Sequence, residues 1–439
     1  MTNLYILMWI YLTYLVLSFW LFNYNILSPS VVFSFSLAIM LCVAYYAATN
    51  MEMVFAINMR TFKIFAWGGF VFLATEFIVY TLNTVRHFNS NTLSKIPLKP
   101  EPFIIEPRIQ WSVTAFIAMS FLLSVVMVYL NTSGGSWSER MRVFKGLISS
   151  GKPLRFYFIL SQLYKIGIIV TDLFGYILIY NVSICNIPAK KMISYIADVL
   201  LFALFSAVCT GARRSSIEIF LFLAMIYVTI NMRPGGKKKI FRLVVKSVPV
   251  AIIGFSLFTL AGTLVGRYGG KGGLQNVVEY LCGGLYSFNL RIDEGGTSKV
   301  FGLSTFLYIY FIPLFLVTLG LMKPTDYVIY DYFESLERFD MYGNTITIFG
   351  RWYKDFDMPG VLVMSCLVSL FFSLIYYKSI IYSQNIYREH HWARICYCQF
   401  MTGLIWAGMD DRIGSMMTVQ TAVFLIFTAI LLKRISPRR

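Results

Sequence analysis

Charge is scarce in this sequence: Asp, Glu, Lys and Arg together make 13% of its 439 residues, about half the share of a soluble protein. Histidine occurs three times, at His87, His390 and His391. The seven cysteines (Cys42, Cys185, Cys209, Cys282, Cys366, Cys396 and Cys398) sit mostly in apolar stretches. Cys396-x-Cys398 has no second pair close by, so a zinc site is not indicated, and neither is redox chemistry. The same figures exclude a disordered chain, a coiled coil, a collagen-like repeat and a disulfide-stapled secreted domain. What is abundant is apolar: 58% of residues are hydrophobic and 17% aromatic, with a mean hydropathy of +0.67. One soluble core of this length cannot hide so much apolar surface. Divided into runs of about 20 residues, it fits an all-α polytopic membrane protein.

Acid is scarcer than base, 21 Asp+Glu against 38 Lys+Arg, a formal charge of +17. On a soluble protein that excess suggests nucleic acid. On a membrane chain the first partners to consider are anionic headgroups and anionic lipid-linked substrates, and no nucleic acid is expected.

The apolar runs fall at 4–22, 31–47, 64–82, 111–130, 156–180, 192–209, 217–232, 247–266, 303–322, 360–377, 393–409 and 417–432. The first lacks a basic flank and a small-residue cleavage site, so no cleavable signal peptide is expected. No soluble domain is appended, and residues 1–439 read as a single transmembrane domain. The densest basic segment, Arg233, Lys237, Lys238, Lys239, Arg242 and Lys246, follows Met232, and the tail carries Lys433, Arg434, Arg438 and Arg439. Both belong in the cytoplasm by the positive-inside rule. An odd number of runs lies between them, so one must fail to cross. The run 303–322, interrupted by Pro313, is the candidate: a re-entrant or membrane-lying segment inside a long external loop, 267–358. That leaves about 11 crossings, an outer N-terminus and an inner C-terminus. The sequence shows no internal repeat and no paired broken helices, which disfavours an inverted-repeat transporter.

Several basic residues then fall on the outer face against the charge rule, which suggests a bound anion. Arg140 and Arg142 follow Glu139, with Lys145, Lys152 and Arg155 read as a solvated face. Arg213 and Arg214 occupy a very short turn, Thr210-Gly211-Ala212-Arg213-Arg214-Ser215-Ser216, where stems snorkelling to headgroups are the alternative. Arg267-Tyr268-Gly269-Gly270 opens the long loop, Arg291 lies within it, and Arg351-Trp352-Tyr353-Lys354-Asp355-Phe356-Asp357 closes it. Glycines beside arginines let backbone N–H groups and guanidinium forks approach phosphate together, and aromatics beside them suit sugar faces or polyprenyl chains. Asp410-Asp411-Arg412 forms a tight turn between two runs. Within the runs the ionisable residues are Glu76, Lys165, Asp172, Asp198 and Glu218, which serve either as proton relays or as pairs inside a bundle. All three histidines fall in loops on the inner side.

With these segments in order, the chain resembles the Wzy-type O-antigen polymerases (oligosaccharide repeat-unit polymerases) and, more loosely, their enterobacterial common antigen branch. The resemblance rests on three segments. The first is the Thr210–Ser215 turn, followed by an apolar helix and a basic loop. The second is Arg267-Tyr268-Gly269, with Tyr280-Leu281 and Tyr286-Ser287-Phe288 after it. The third is Asn344-Thr345 leading to Tyr353-Lys354-Asp355-Phe356-Asp357 and Pro359-Gly360. The family often has Gly where this chain has Asp357.

The resemblance implies a GT-C-like membrane glycosyltransferase of the bacterial inner membrane, acting on its periplasmic face without nucleotide sugar, metal or other cofactor. Its substrates would be undecaprenyl-diphosphate-linked glycan donor and acceptor, with a chain-length regulator in the same membrane as a candidate partner. Arg213, Arg214, Arg267 and Arg291 would hold the diphosphate, and Asp355 or Asp410 would take the proton of the acceptor hydroxyl. Arg140, Arg142, Tyr268, Arg351, Tyr353 and Arg412 would orient the glycan. An O-antigen ligase and a lipid-linked oligosaccharide flippase are the rival readings. A ligase usually has an external His, and a flippase needs a cationic cavity between its helices.

Overall fold

The computed structural model describes residues 1–51, 56–89, 101–149, 154–210, 213–231, 273–292, 305, 347–381, 391–410, 412–416 and 419–435. Among them the chain is all-helical, with no strand. The helices are α1 (Thr2–Leu21), α2 (Pro29–Asn50), α3 (Met59–Asn89), α4 (Pro107–Asn131), α5 (Trp137–Ser149), α6 (Tyr157–Ser183), α7 (Ile193–Thr210, entered by a 3₁₀ turn at Ala189–Met192), α8 (Arg213–Asn231), α9 (Gly273–Arg291), α10 (Ile348–Ile375, continued by a π turn at Tyr376–Ile381), α11 (His391–Ile405), α12 (Arg412–Met416) and α13 (Val419–Ile435). Seven helical stretches among the described residues are long and apolar enough to cross a membrane. The expected runs reappear as helices with slightly shifted ends, because a 20-residue apolar segment in lipid satisfies its backbone only as a helix. Proline opens α2 and α4 at a position where the missing N–H costs nothing. The run at 247–266 and the candidate re-entrant run at 303–322, Thr305 apart, lie outside the described residues.

Three segments expected as loop are helical. α5 is a short amphipathic helix that seats Met141 and Phe144 against Val128. α9 and the start of α10 occupy both ends of the expected long loop; their mixed Gly, Tyr and charged composition hides the helices from an apolar window. α7 ends at Thr210 and α8 begins at Arg213, so Arg213 to Ser216 of the expected turn are helical, and residues 211–212 lie outside the described residues.

The chain divides into two compact units. The first comprises Met1–Lys95, Leu274–Ile386 and Gln399–Val423. In it Phe33 of α2 stacks on Phe72 of α3 at 4.1 Å, and Phe349 lies over Gly68. The hydroxyls of Tyr11 and Tyr14 donate to the carbonyls of Phe65 and Ala66 at 2.8 and 3.1 Å. Small residues on α3 let rings and backbone approach, the usual device where lipid provides no hydrophobic drive between helices. Glu76, fully buried on α3, accepts from Ser28 Oγ (2.6 Å), the Ser30 N–H and Tyr377 Oη (2.7 Å). Ser28 is the N-cap of α2 but does not cap it with its own side chain. A carboxyl from the neighbouring helix satisfies that terminus instead.

The second unit comprises Ile96–Gly273, Tyr387–Cys398 and Phe424–Arg439. Its core joins Ile117, Met127, Leu160, Val199, Phe202, Phe205 and Ile219. Gly167 and Gly175 of α6 admit Phe202 and Leu223, which an added Cβ would strike. The buried Asp198 accepts from Thr114 Oγ1 at 2.6 Å. Asp172 is also buried, and its Oδ2 has no partner among the described residues.

Candidate functional site

Three interruptions of regular helix converge in the first unit. The first lies within α10, where Asp357 has φ 58° and ψ −160°, a region that residues with a side chain rarely occupy. The Met358 N–H donates to Asp357 Oδ1 at 2.8 Å. Pro359 suits the first turn of the helix that follows. Gly360 packs so closely that a Cβ there would strike Phe356. Beyond the break the helix follows α3, with Ser369 Oγ donating to the Phe72 carbonyl (2.7 Å) and Tyr377 reaching Glu76. Before the break, Phe349 already lies against Phe65 (5.0 Å) and Gly68. The segment 348–356 therefore starts beside the first third of α3, the segment after Asp357 runs on to Phe72 and Glu76, and a Cβ on Gly360 would lie 3.1 Å from the Trp352 carbonyl oxygen across the break. The two form a helical hairpin that turns back at Asp357.

The second interruption follows α11. The chain then turns: the N–H groups of Met409 and Asp410 both donate to the Trp406 carbonyl at 2.8 Å, and that of Arg412 to Asp410 at 3.0 Å. Ser36 of α2 braces this turn, donating to the Ile405 carbonyl (2.7 Å) and accepting from the Gly408 N–H (3.1 Å). Ser36 lies about 10 Å into α2 from its first residue, at 1.5 Å per residue. The turn is thus at membrane depth, where irregular backbone survives only if protein or water covers it.

The third element, α9, closes the junction. A Cβ on Gly284 would sit 2.5 Å from the Met409 carbonyl oxygen and 3.3 Å from the Thr347 nitrogen. The Ile348 N–H donates to the Ala407 carbonyl at 3.2 Å, so the α10 start and the 406–410 turn are bonded directly. Asn289 of α9 anchors the assembly to the α2–α3 connection, donating to the Ala56 carbonyl (2.7 Å) and accepting from the Asn58 N–H (2.8 Å).

Chemistry-bearing side chains surround this junction. Asp355 is 6% exposed and accepts from the Thr305 N–H. Tyr353 meets Phe288 of α9 edge to face at 5.9 Å. Arg351, Tyr353, Asp410 and Arg412 are half-buried. Thr347 and Trp406 are buried, and neither Thr347 Oγ1 nor Trp406 Nε1 has a hydrogen-bond partner among the described residues. Buried polar atoms normally find partners, so two orphans at one junction mark a place suited to a polar guest. No group of His, Cys, Asp and Glu among the described residues could hold a metal.

The site residues expected from sequence are distributed unevenly. Arg351, Tyr353, Asp355, Asp410 and Arg412 gather on the elements of this junction, and Arg291 ends α9. Arg140, Arg142, Arg213 and Arg214 belong to the second unit. There Arg140 donates to the Thr132 carbonyl at 2.6 Å and lies 4.8 Å from the centre of the Tyr129 ring, while Arg142 is exposed on α5. Arg213 and Arg214 open α8. Arg267 and Tyr268 lie outside the described residues.

Two expectations are overturned. Paired broken helices, not evident in the sequence, are present at Asp357 and at 406–410. His391, expected in a loop, is the first residue of α11 and 6% exposed. The sequence reading missed Ser36, Gly284, Thr347 and Trp406. The one local signal was Gly408-Met409-Asp410-Asp411 interrupting an apolar stretch. No family profile, characterised protein or solved structure matches this chain.

Proposed function

We propose that the protein is a bacterial inner-membrane glycosyltransferase that polymerises undecaprenyl-diphosphate-linked oligosaccharide repeat units, as in Wzy-type O-antigen polymerases. The reading takes the chain as crossing about 11 times, with the broken-helix junction open to the periplasm. The observation that carries it is the meeting of the Arg351–Asp355 segment with the Asp410–Arg412 turn over α9. This gathers carboxylates, guanidinium groups and aromatic rings at a backbone break inside an apolar unit. The conformation of Asp357 also supports it, since glycine takes that backbone freely and the family often has glycine there.

In this reaction a sugar hydroxyl of the acceptor attacks the anomeric carbon of the donor glycan. The bond from that carbon to the diphosphate oxygen breaks, and the lipid diphosphate leaves with the electron pair. Asp355 or Asp410 accepts the hydroxyl proton. Arg412 and Arg351 stabilise charge on the leaving diphosphate, for which a forked guanidinium is suited, and Arg213, Arg214, Arg267 and Arg291 are the further candidates for that clamp. Tyr353 and Phe288 provide an apolar face for sugar rings. Substrate transport is the second reading, and the two broken helices favour it, because transporters place substrate at such breaks.

The test is the lipopolysaccharide ladder of a deletion strain complemented with wild type, Asp355→Asn, Arg412→Ala or the Arg213→Ala/Arg214→Ala pair at matched expression. Collapse of the ladder to a single repeat unit on core in the null strain, in Asp355→Asn and in Arg412→Ala supports polymerisation at this junction. Loss of even the single unit in the null strain supports transport or ligation. Normal ladders in all variants overturn the site.

A further inference from the structure

α5 differs from the spanning helices in how its sequence is arranged. At about 100° per residue, Trp137, Met141, Val143, Phe144, Leu147 and Ile148 fall on one half of its surface. Ser138, Glu139, Arg142, Lys145 and Gly146 fall on the other. Arg140 is the one charge on the apolar half, and it folds back. Its guanidinium donates to the Thr132 carbonyl at 2.6 Å and lies over the Tyr129 ring.

The apolar half itself has two parts. Met141 and Phe144 are buried against Val128, near the end of α4. Phe144 also meets Tyr157, the first residue of α6, edge to face at 6.4 Å. Trp137 and Val143, in contrast, are 39% and 36% exposed. The Trp137 ring lies 5.8 Å from that of Tyr129, which is also exposed.

α4 and α6 are both long and apolar enough to cross a membrane. α5 therefore lies across the level at which one span ends and the next begins. Arg155 is held at that level, its N–H donating to Asn131 Oδ1 at 3.0 Å. Phe156 follows with φ 59°, a strained conformation for an aromatic residue, and its side chain is exposed.

Trp and Tyr collect where a span leaves the hydrocarbon, and a helix with one apolar and one basic half lies there in the membrane plane. Through Tyr129, the exposed apolar edge of α5 continues into the exposed surface of α4 at Val126 and Leu130. Whatever lipid covers that span covers this edge as well. The polar half then meets the headgroups. Arg142 and Lys145 stand one turn apart on it, against the single acid Glu139, with the exposed Arg155 at the same level. That balance complements an anionic headgroup.

We propose that α5 is an interfacial helix that binds anionic phospholipid headgroups through Arg142 and Lys145, while Trp137 and Val143 enter the acyl region below. The surface belongs to the second unit and is independent of the reaction assigned to the junction.

The test uses the full chain in phosphatidylcholine vesicles that contain brominated phosphatidylcholine or brominated phosphatidylglycerol at equal mole fraction. Bromine quenches nearby tryptophan, and subtracting the emission of the same chain with Trp137→Phe isolates Trp137. Both lipids should quench Trp137, phosphatidylglycerol roughly two- to fivefold more strongly. Arg142→Gln/Lys145→Gln should bring that ratio to about one and leave quenching by phosphatidylcholine unchanged. Arg142→Glu, at an exposed position, should produce the same loss alone, and high salt should narrow the ratio in the wild-type chain. Absence of quenching by either lipid overturns the interfacial placement. A wild-type ratio of about one, or a ratio that survives the charge variants, overturns the headgroup assignment.

Discussion

The first unit contains two buried polar knots, and they are built on opposite principles. At one, the Glu76 carboxylate is saturated by three hydrogen bonds from Ser28 Oγ, the Ser30 N–H and Tyr377 Oη and ties α2, α3 and α10 together, although Ser30 Oγ beside it has no partner among the described residues. At the other, the junction of α9, α10 and the 406–410 turn, the backbone is bonded but Thr347 Oγ1 and Trp406 Nε1 are orphaned. A saturated buried network stabilises and fixes a fold. An unsaturated one sacrifices stability, and it persists where something else is to be bound. The contrast assigns structure to Glu76 and function to the junction, although both place a carboxylate inside an apolar unit.

The largest expected effect is at the saturated knot. Glu76→Ala leaves two hydroxyls and a helix-terminal N–H buried without an acceptor, at about 1–3 kcal/mol each, so a loss of roughly 3–9 kcal/mol is expected. Asp355→Asn should cost under about 1 kcal/mol, because the amide keeps an acceptor oxygen for Thr305, while abolishing the ladder. Thermal unfolding in detergent and the ladder assay read the two together. Equal stability losses would dissolve the distinction between the knots.

Next in size is Gly284→Ala. The new methyl meets the Met409 carbonyl, which belongs to backbone and cannot rotate away, so α9 must move off the turn. The expected cost is about 1–3 kcal/mol, together with lost activity, since the same contact sets the spacing between the Thr347 and Met409 segments. Normal activity in a stable Gly284→Ala chain would show that the junction need not be closed. Ser36→Ala removes the brace from the Ile405 carbonyl and the Gly408 N–H, at about 1–2 kcal/mol. Ser36→Thr keeps the hydroxyl and should recover most of that loss in the same unfolding experiment.

The two knots also differ in how far the sequence discloses them. The apolar runs locate α1, α2, α3, α4, α6, α7 and α8 because a continuous apolar stretch has one solution in lipid. Glu76 stands out in its run as a lone acid, yet its partners are 46 to 301 residues away, and no local pattern encodes such distances. The junction is harder still. Arg351, Tyr353, Asp355, Asp410 and Arg412 attract notice as polar residues in motifs, but Arg-Trp-Tyr-Lys-Asp composition reads as a solvated loop when it in fact forms a helix. α9 is disguised by its glycines, which the close approach at Gly284 requires. The pairing of Tyr176 with His391 spans 215 residues and leaves no trace in either segment.

The smallest expected effect tests whether Asp357 belongs to the junction's chemistry or only to its shape. The residue is exposed, and its backbone lies in a region that costs a side-chain-bearing residue on the order of 1–3 kcal/mol. Glycine removes that strain but gains entropy in the unfolded chain, a loss of about 0.5–1 kcal/mol. It also gives up the solvent-facing bond from Asp357 Oδ1 to the Met358 N–H. The balance predicts that Asp357→Gly is more stable than wild type by about 0.5–1 kcal/mol, with an unchanged ladder, whereas Asp357→Ala keeps the strain, loses the bond and is less stable. Opposite signs for the two variants would show that the hairpin needs a conformation at this position and not a carboxylate. A shortened ladder in a stabilised Asp357→Gly chain would instead move Asp357 into the site, beside Asp355.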